Sequence, residues 1–145
     1  MSTVELQSPG AVAAGNQSSL YGLLSEAFRY TTEALHGRSN SGQLAKDLSE
    51  AAAGVGYSVS IPAGLEAGGL EETQLSYVEL FELGGAEGPP AFIYEGEYGG
   101  GRNGVMEDVL RFYDHFGISP STDEGSRDRP DHIASQLEFM HILAF

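Results

Sequence analysis

Two short stretches carry side chains whose types and spacing could do chemistry. Glu138-x-x-His141 places a carboxylate and an imidazole three residues apart, on one side of a helix. Di-iron carboxylate bundles use that spacing, but they need a second copy and two more glutamates from other helices. The spacing recurs once, at Glu33-x-x-His36. The same pair also arises on any helix with a polar edge. Asp131-His132 is the second candidate. Asp131 could cap a helix or orient the imidazole, and His132 could contact a partner in a pH-sensitive way. No serine or cysteine sits in a nucleophile motif, so a hydrolytic triad has no support. A metal- or acid–base reading would centre on His132, Glu138 and His141.

A third stretch, Gly88-Pro89-Pro90-Ala91-Phe92-Ile93-Tyr94-Glu95-Gly96-Glu97-Tyr98-Gly99-Gly100-Gly101, is rich in glycine but lacks the Lys-Ser/Thr of a phosphate-binding loop. Its glutamates would repel phosphate and suit a guanidinium. Its tyrosines also fit a structural loop pinned to the core.

The charge balance points the same way. Seven cations face 21 acidic residues, a net charge of −14 over 145 residues. That disfavours a nucleic-acid backbone or an anionic membrane surface as partner. Solubility, as in a halophile, is one meaning of the acidity; attraction of a basic partner, or a general acidic interaction domain, is another. There is no cysteine, hence no disulfide and no thiolate site. No run of 18 apolar residues could span a bilayer, and Glu5 stands where a signal peptide would be positive.

The elements that must position these residues read as helices. Met1–Gly15 is rich in small residues and is expected to be a loose tail, with one domain over 16–145. Helices are predicted over Asn16–Leu35, Ser41–Val55, Leu70–Leu83, from Asn103 as cap to Phe116, and from Pro130 to the last residue. Tyr57–Ile61 is an extended connector. Gly84–Gly104 is a long ordered loop, because its prolines and glycines forbid a helix and its aromatics tie it down. The expected fold is all-α: a single-domain bundle of about five helices with one Gly/Pro/Tyr loop.

Taken in order, four blocks resemble the TorD/DmsD/NarJ-type chaperones that mature molybdenum-containing redox enzymes. They are Tyr77-Val78-Glu79-Leu80-Phe81; Gly88-Pro89-Pro90 with Tyr94-Glu95-Gly96-Glu97-Tyr98; Val109-Leu110-Arg111-Phe112-Tyr113 with Phe116-Gly117; and Pro130-Asp131-His132 leading to Leu137-Glu138-Phe139-Met140. The tyrosine–glutamate–glycine loop and the Glu-Phe-Met helix look most like the branch serving nitrate reductase, dimethyl sulfide dehydrogenase and ethylbenzene dehydrogenase.

The resemblance implies a cytoplasmic chaperone with no catalysis and no stably bound cofactor. It would hold an apo catalytic subunit, and its N-terminal twin-arginine peptide, until the molybdenum cofactor is inserted. It places Asp131 and His132 in peptide recognition, with Tyr94 and Glu95 nearby. Guanidinium groups would meet Glu95, Asp131 and Glu138, and Phe112, Tyr113 and Phe139 would line an apolar contact. Family members continue for several helices beyond the Glu-Phe-Met helix, so further C-terminal helices are expected. Without them Phe139, Ile142, Leu143 and Phe145 would be exposed, and a domain-swapped homodimer is expected from the family's habit of exchanging helices.

Overall fold

A computed structural model of the chain describes residues 8–62, 68–121 and 128–145. Six α-helices and one 3-10 turn account for its regular structure, and no strand occurs among the described residues. The all-α expectation holds, with six helices in place of five.

The extra helix comes from the N-terminal third. Helix α1 spans Pro9–Ala27, and α2 spans Glu33–Asn40. The single helix expected over Asn16–Leu35 is therefore two. Thr32 starts the second by accepting the Leu35 N–H at 3.2 Å. Carbonyls left free by the break find side chains one layer away: Tyr77 donates its hydroxyl to the Phe28 carbonyl at 3.2 Å, and Gln74 its amide to the Thr31 carbonyl at 2.8 Å. Helix α1 also begins before Asn16. Ser8 caps it by accepting from the Ala11 N–H, and Pro9 occupies the first turn, where its missing donor costs nothing. Pro9–Gly15, expected to be loose, is helical; Met1–Gln7 lie outside the described residues.

Helices α3 (Gln43–Gly54) and α4 (Leu70–Phe81) fall close to their predicted spans. Helix α5 covers Arg102–His115, capped by the backbone of Gly101, so Asn103 lies inside the first turn and is not the cap. The three residues before it, Gly99, Gly100 and Gly101, all have positive φ (130°, 77° and 76°), a run that only glycine adopts without strain. Helix α6 covers Ile133–Ala144. Its N-cap is His132, not Asp131, and Pro130 sits two residues outside that cap.

Helix α1 is the spine. It packs on α3 and, most extensively, on α6, while α2 packs on α3 and α4. Two serines set the register with α6. Ser18 donates to the His141 carbonyl at 2.9 Å, and Ser25 donates to the Ala134 carbonyl at 2.7 Å. Each pair is seven residues apart, and the numbers run in opposite senses, so the helices lie antiparallel. Both hydroxyls are buried, and Ala134 is completely so. Arg38 ties α1, α2 and α3 together, binding Glu26 and, at 2.8 Å, Asp47. Helix α5 packs chiefly on the 3-10 turn Glu95–Glu97.

Candidate functional site: a buried hinge beneath an apolar groove

The segment leading into α6 is pinned from both sides. The Ile133 N–H donates to the Ile93 carbonyl and the Glu95 N–H to the Asp131 carbonyl, each at 2.9 Å. Tyr94 and His132 thus face each other as an isolated antiparallel bridge. This places the Gly/Pro/Tyr loop on the Pro-Asp-His turn, two stretches some forty residues apart in sequence.

Asp131 and His132 are both 0% exposed. The Asp131 carboxylate is gripped by Arg129: Nε donates to Oδ1 at 2.9 Å and a terminal nitrogen to Oδ2 at 3.2 Å. The Gly96 N–H adds a longer contact to Oδ2, at 3.4 Å. A Cβ on Gly96 would stand 3.2 Å from that oxygen and 3.0 Å from Arg102 Cα, so the loop approaches this closely only as glycine. The Arg129 guanidinium also lies over the Tyr94 ring, 4.1 Å from its centroid.

His132 caps α6 with its ring. Nδ1 accepts the Ala134 N–H at 3.0 Å, which assigns the proton of a neutral ring to Nε2. Nε2 faces the Tyr77 hydroxyl at 3.2 Å and Asp128 Oδ1 at 3.6 Å. Burial holds the imidazole below its ordinary value of 6.5; Arg29 pushes it the same way, and Asp128, Asp131 and Glu82 oppose this. Burial likewise pushes the Tyr94 hydroxyl up, with Asp128 adding to it.

Above this hinge, α5 and α6 meet through aromatic rings. Tyr113 and Phe139 have centroids 4.7 Å apart, and Phe116 meets Phe139 edge-on at 5.9 Å. The Tyr113 hydroxyl reaches the Ser135 carbonyl at 3.4 Å. Beside these rings lies a groove of about 350 Å³ with Val105, Val109, Phe112 and Met140 on its walls and Glu95 and Asp108 at its edges. Phe112 is 60% exposed. Gln136 holds the Glu95 carboxylate at the rim, and Asp108 pairs with Arg111 at 3.2 Å.

The eight residues expected to form a binding surface fall into three places. Glu95, Phe112, Tyr113 and Phe139 line the groove. Tyr94, Asp131 and His132 form the network below it, with both hinge side chains turned inward. Glu138 belongs to a neighbouring cavity of about 230 Å³ that Phe139 also lines, where Arg29 binds it at 2.6 Å and Asp128 at 3.3 Å. The metal or acid–base trio is not assembled. His132 caps α6, Glu138 pairs with Arg29, and the His141 Nδ1 lies 2.8 Å from Ser18. Among the described residues no group of three His, Cys, Asp or Glu is placed to hold a metal. Sequence reasoning missed Arg129, Asp128 and Gln136. Arg129 stands two residues before Asp131 and Gln136 one helical turn after His132, the only local signals either offered.

Comparison with known proteins gives these residues a context. A family model described as nitrate reductase delta subunit matches residues 38–145. The chlorate reductase assembly chaperone protein of Ideonella dechloratans is 38% identical over 77 residues, 52% of this chain and 38% of its own. The selenate reductase assembly chaperone protein of Thauera selenatis is 36% identical over 75 residues, 50% of this chain and 37% of its own. The dimethyl sulfide dehydrogenase assembly chaperone protein of Rhodovulum sulfidophilum is 35% identical over 79 residues, covering 50% and 32%. The aligned part thus spans under two-fifths of each curated relative. A crystal structure of a proposed redox enzyme maturation protein from Archaeoglobus fulgidus superposes with a TM-score of 0.57 at 20% identity, covering 88% of this chain and 70% of that one. That likeness establishes the shared helical fold.

Proposed function

The chain belongs to the nitrate reductase delta subunit family, and from that membership and the groove's chemistry we propose that it is an assembly chaperone for the catalytic subunit of a molybdenum-containing oxidoreductase. It binds the subunit before the cofactor is inserted, in the cytoplasm, and releases it afterwards. The cofactor belongs to the client. The chaperone's own work is recognition, and it performs no catalysis.

The observation that carries this reading is the apolar groove between α5 and α6, rimmed by Glu95 and Asp108 on a chain of net charge −14. An apolar helix or extended segment preceded by arginines complements both parts, with its apolar side chains against Phe112, Tyr113 and Phe139 and its guanidinium groups toward the acidic rim. A client's N-terminal peptide with paired arginines has that composition. In the unbound chain Asp131 and His132 are buried support that holds Tyr94 and Glu95 in place. The relatives' names support the client class: they assemble chlorate reductase, selenate reductase and dimethyl sulfide dehydrogenase.

The test uses purified catalytic subunits of those three types, each with and without cofactor, titrated against the chaperone. The cofactor-free form of at least one should bind more tightly. Phe112→Ala, at an exposed position whose loss spares the core, should weaken that binding roughly tenfold. Equal binding of both forms, or indifference to Phe112→Ala, would remove the proposal.

A further inference from the structure

A buried carboxylate survives only when it is paired, and Asp131 is paired by the chain's own arginine. The geometry is that of arginine recognition in general. Two guanidinium nitrogens meet two carboxylate oxygens at 2.9 and 3.2 Å, and an aromatic face lies 4.1 Å from Arg129 Cζ. Such a subsite accepts any planar guanidinium of the right approach. Its present occupant is also the member best placed to leave, since the Arg129 side chain is 27% exposed and that of Asp131 is not exposed at all.

The subsite adjoins the proposed docking surface. Asp131 and Tyr94 line a shallow cavity of about 240 Å³ together with Glu95 and Gln136. Glu95 and Gln136 also line the α5–α6 groove. A segment lying in the groove with its charged end toward Glu95 and Gln136 comes beside Asp131 and Tyr94.

We propose that Arg129 is a resident surrogate: it fills the guanidinium subsite formed by Asp131 and Tyr94, and an arginine of the partner takes its place as the partner's apolar segment enters the groove. This rests on the docking role proposed above for that groove. Exchanging one guanidinium for another leaves Asp131 satisfied, so the exchange itself is nearly neutral. A lysine lacks the planar fork and fills the subsite poorly. A segment with no arginine leaves Arg129 on Asp131 and gains nothing from the subsite. Arg129's occupancy lowers apparent affinity by the fraction of time the subsite is closed.

The experiment compares wild type, Arg129→Ala and Arg129→Lys by thermal unfolding and by titration with a synthetic peptide of two adjacent arginines followed by an apolar stretch. Arg129→Ala should unfold at lower temperature and recover in millimolar ethylguanidinium, but not in ethylammonium. It should bind the peptide roughly tenfold more tightly than wild type. A peptide with lysines in place of the arginines should gain far less. If Arg129→Ala does not fold, Arg129→Lys decides, and it should still bind the arginine peptide more tightly than wild type. Equal or weaker binding by the folded variant, or no recovery in ethylguanidinium, overturns the surrogate while leaving the docking role standing. Failure of every protein, wild type included, to bind the peptide overturns both.

Discussion

His132 does two jobs with one ring, and the cap requires it to be neutral. Nδ1 can accept the Ala134 N–H only while it carries no proton, and Nε2 is left to face Tyr77 and Asp128. The pH consequence follows from the direction of its shift. The folded value lies below 6.5, so the unfolded chain takes up the proton first. The stability is full above pH 6.5 and is lost as the pH falls from there through the folded value. Unfolding temperature should therefore drop on acidification just below pH 6.5. His132→Asn keeps a side chain able to cap and should abolish that part of the slope. The groups around the ring are Asp128, Asp131, Glu82, Arg29, Tyr77 and Tyr94. A slope in His132→Asn equal to that of wild type would assign the effect to those groups. At this scale the sequence was half legible. Asp131-His132 stood out as a pair, yet the side-chain types alone could not say that both turn inward. That depended on Tyr94, Gly96, Arg129 and Tyr77 arriving from other segments.

Among elements, the α1–α6 pair illustrates how polar side chains can fix a helix interface. Ser25 donates to the Ala134 carbonyl inside α6, and Ser18 to the His141 carbonyl, one of the last four of that helix. Losing one should cost about 1 kcal/mol. Ser18→Ala with Ser25→Ala should then lower stability by roughly 2 kcal/mol, read by urea denaturation, with the two effects additive because the sites are two turns apart. A double variant as stable as wild type would deny these bonds any part in the register. The helices themselves were largely legible, α3 and α4 almost to the residue, because apolar spacing and glycine stops agree there. The break at Phe28–Thr32 was not, because Phe28 and Thr31 continue the helical spacing across it; only Thr32 as a cap ahead of Glu33 marked it. Ser8-Pro9 was an equally clear start signal for α1 that the small, polar composition of the tail obscured.

For the molecule as a whole, 21 acidic residues against seven cations make self-repulsion the dominant long-range term. Ion pairs such as Arg29–Glu138 and Arg38–Asp47 are at or near the surface and are individually worth little. Screening should therefore stabilise the fold: unfolding temperature should rise by several degrees as sodium chloride goes from about 10 mM to 500 mM, where the screening length falls from ~30 Å to a few ångströms. A fall instead would mean that the ion pairs outweigh the repulsion. Of the groove, Phe112, Tyr113, Phe139 and Glu95 were expected at one surface through the family resemblance. Asp108 was not, since nothing in the sequence marks it over its neighbour Glu107.

The two banks of that groove are anchored very differently. Helix α6 is locked to α1 in rotation and translation by Ser18 and Ser25. Helix α5 leans on a short 3-10 turn and enters through Gly99, Gly100 and Gly101. The groove is a caliper with one fixed jaw. Three consecutive glycines give the entry to that jaw a torsional freedom that the jaw bonded to α1 lacks.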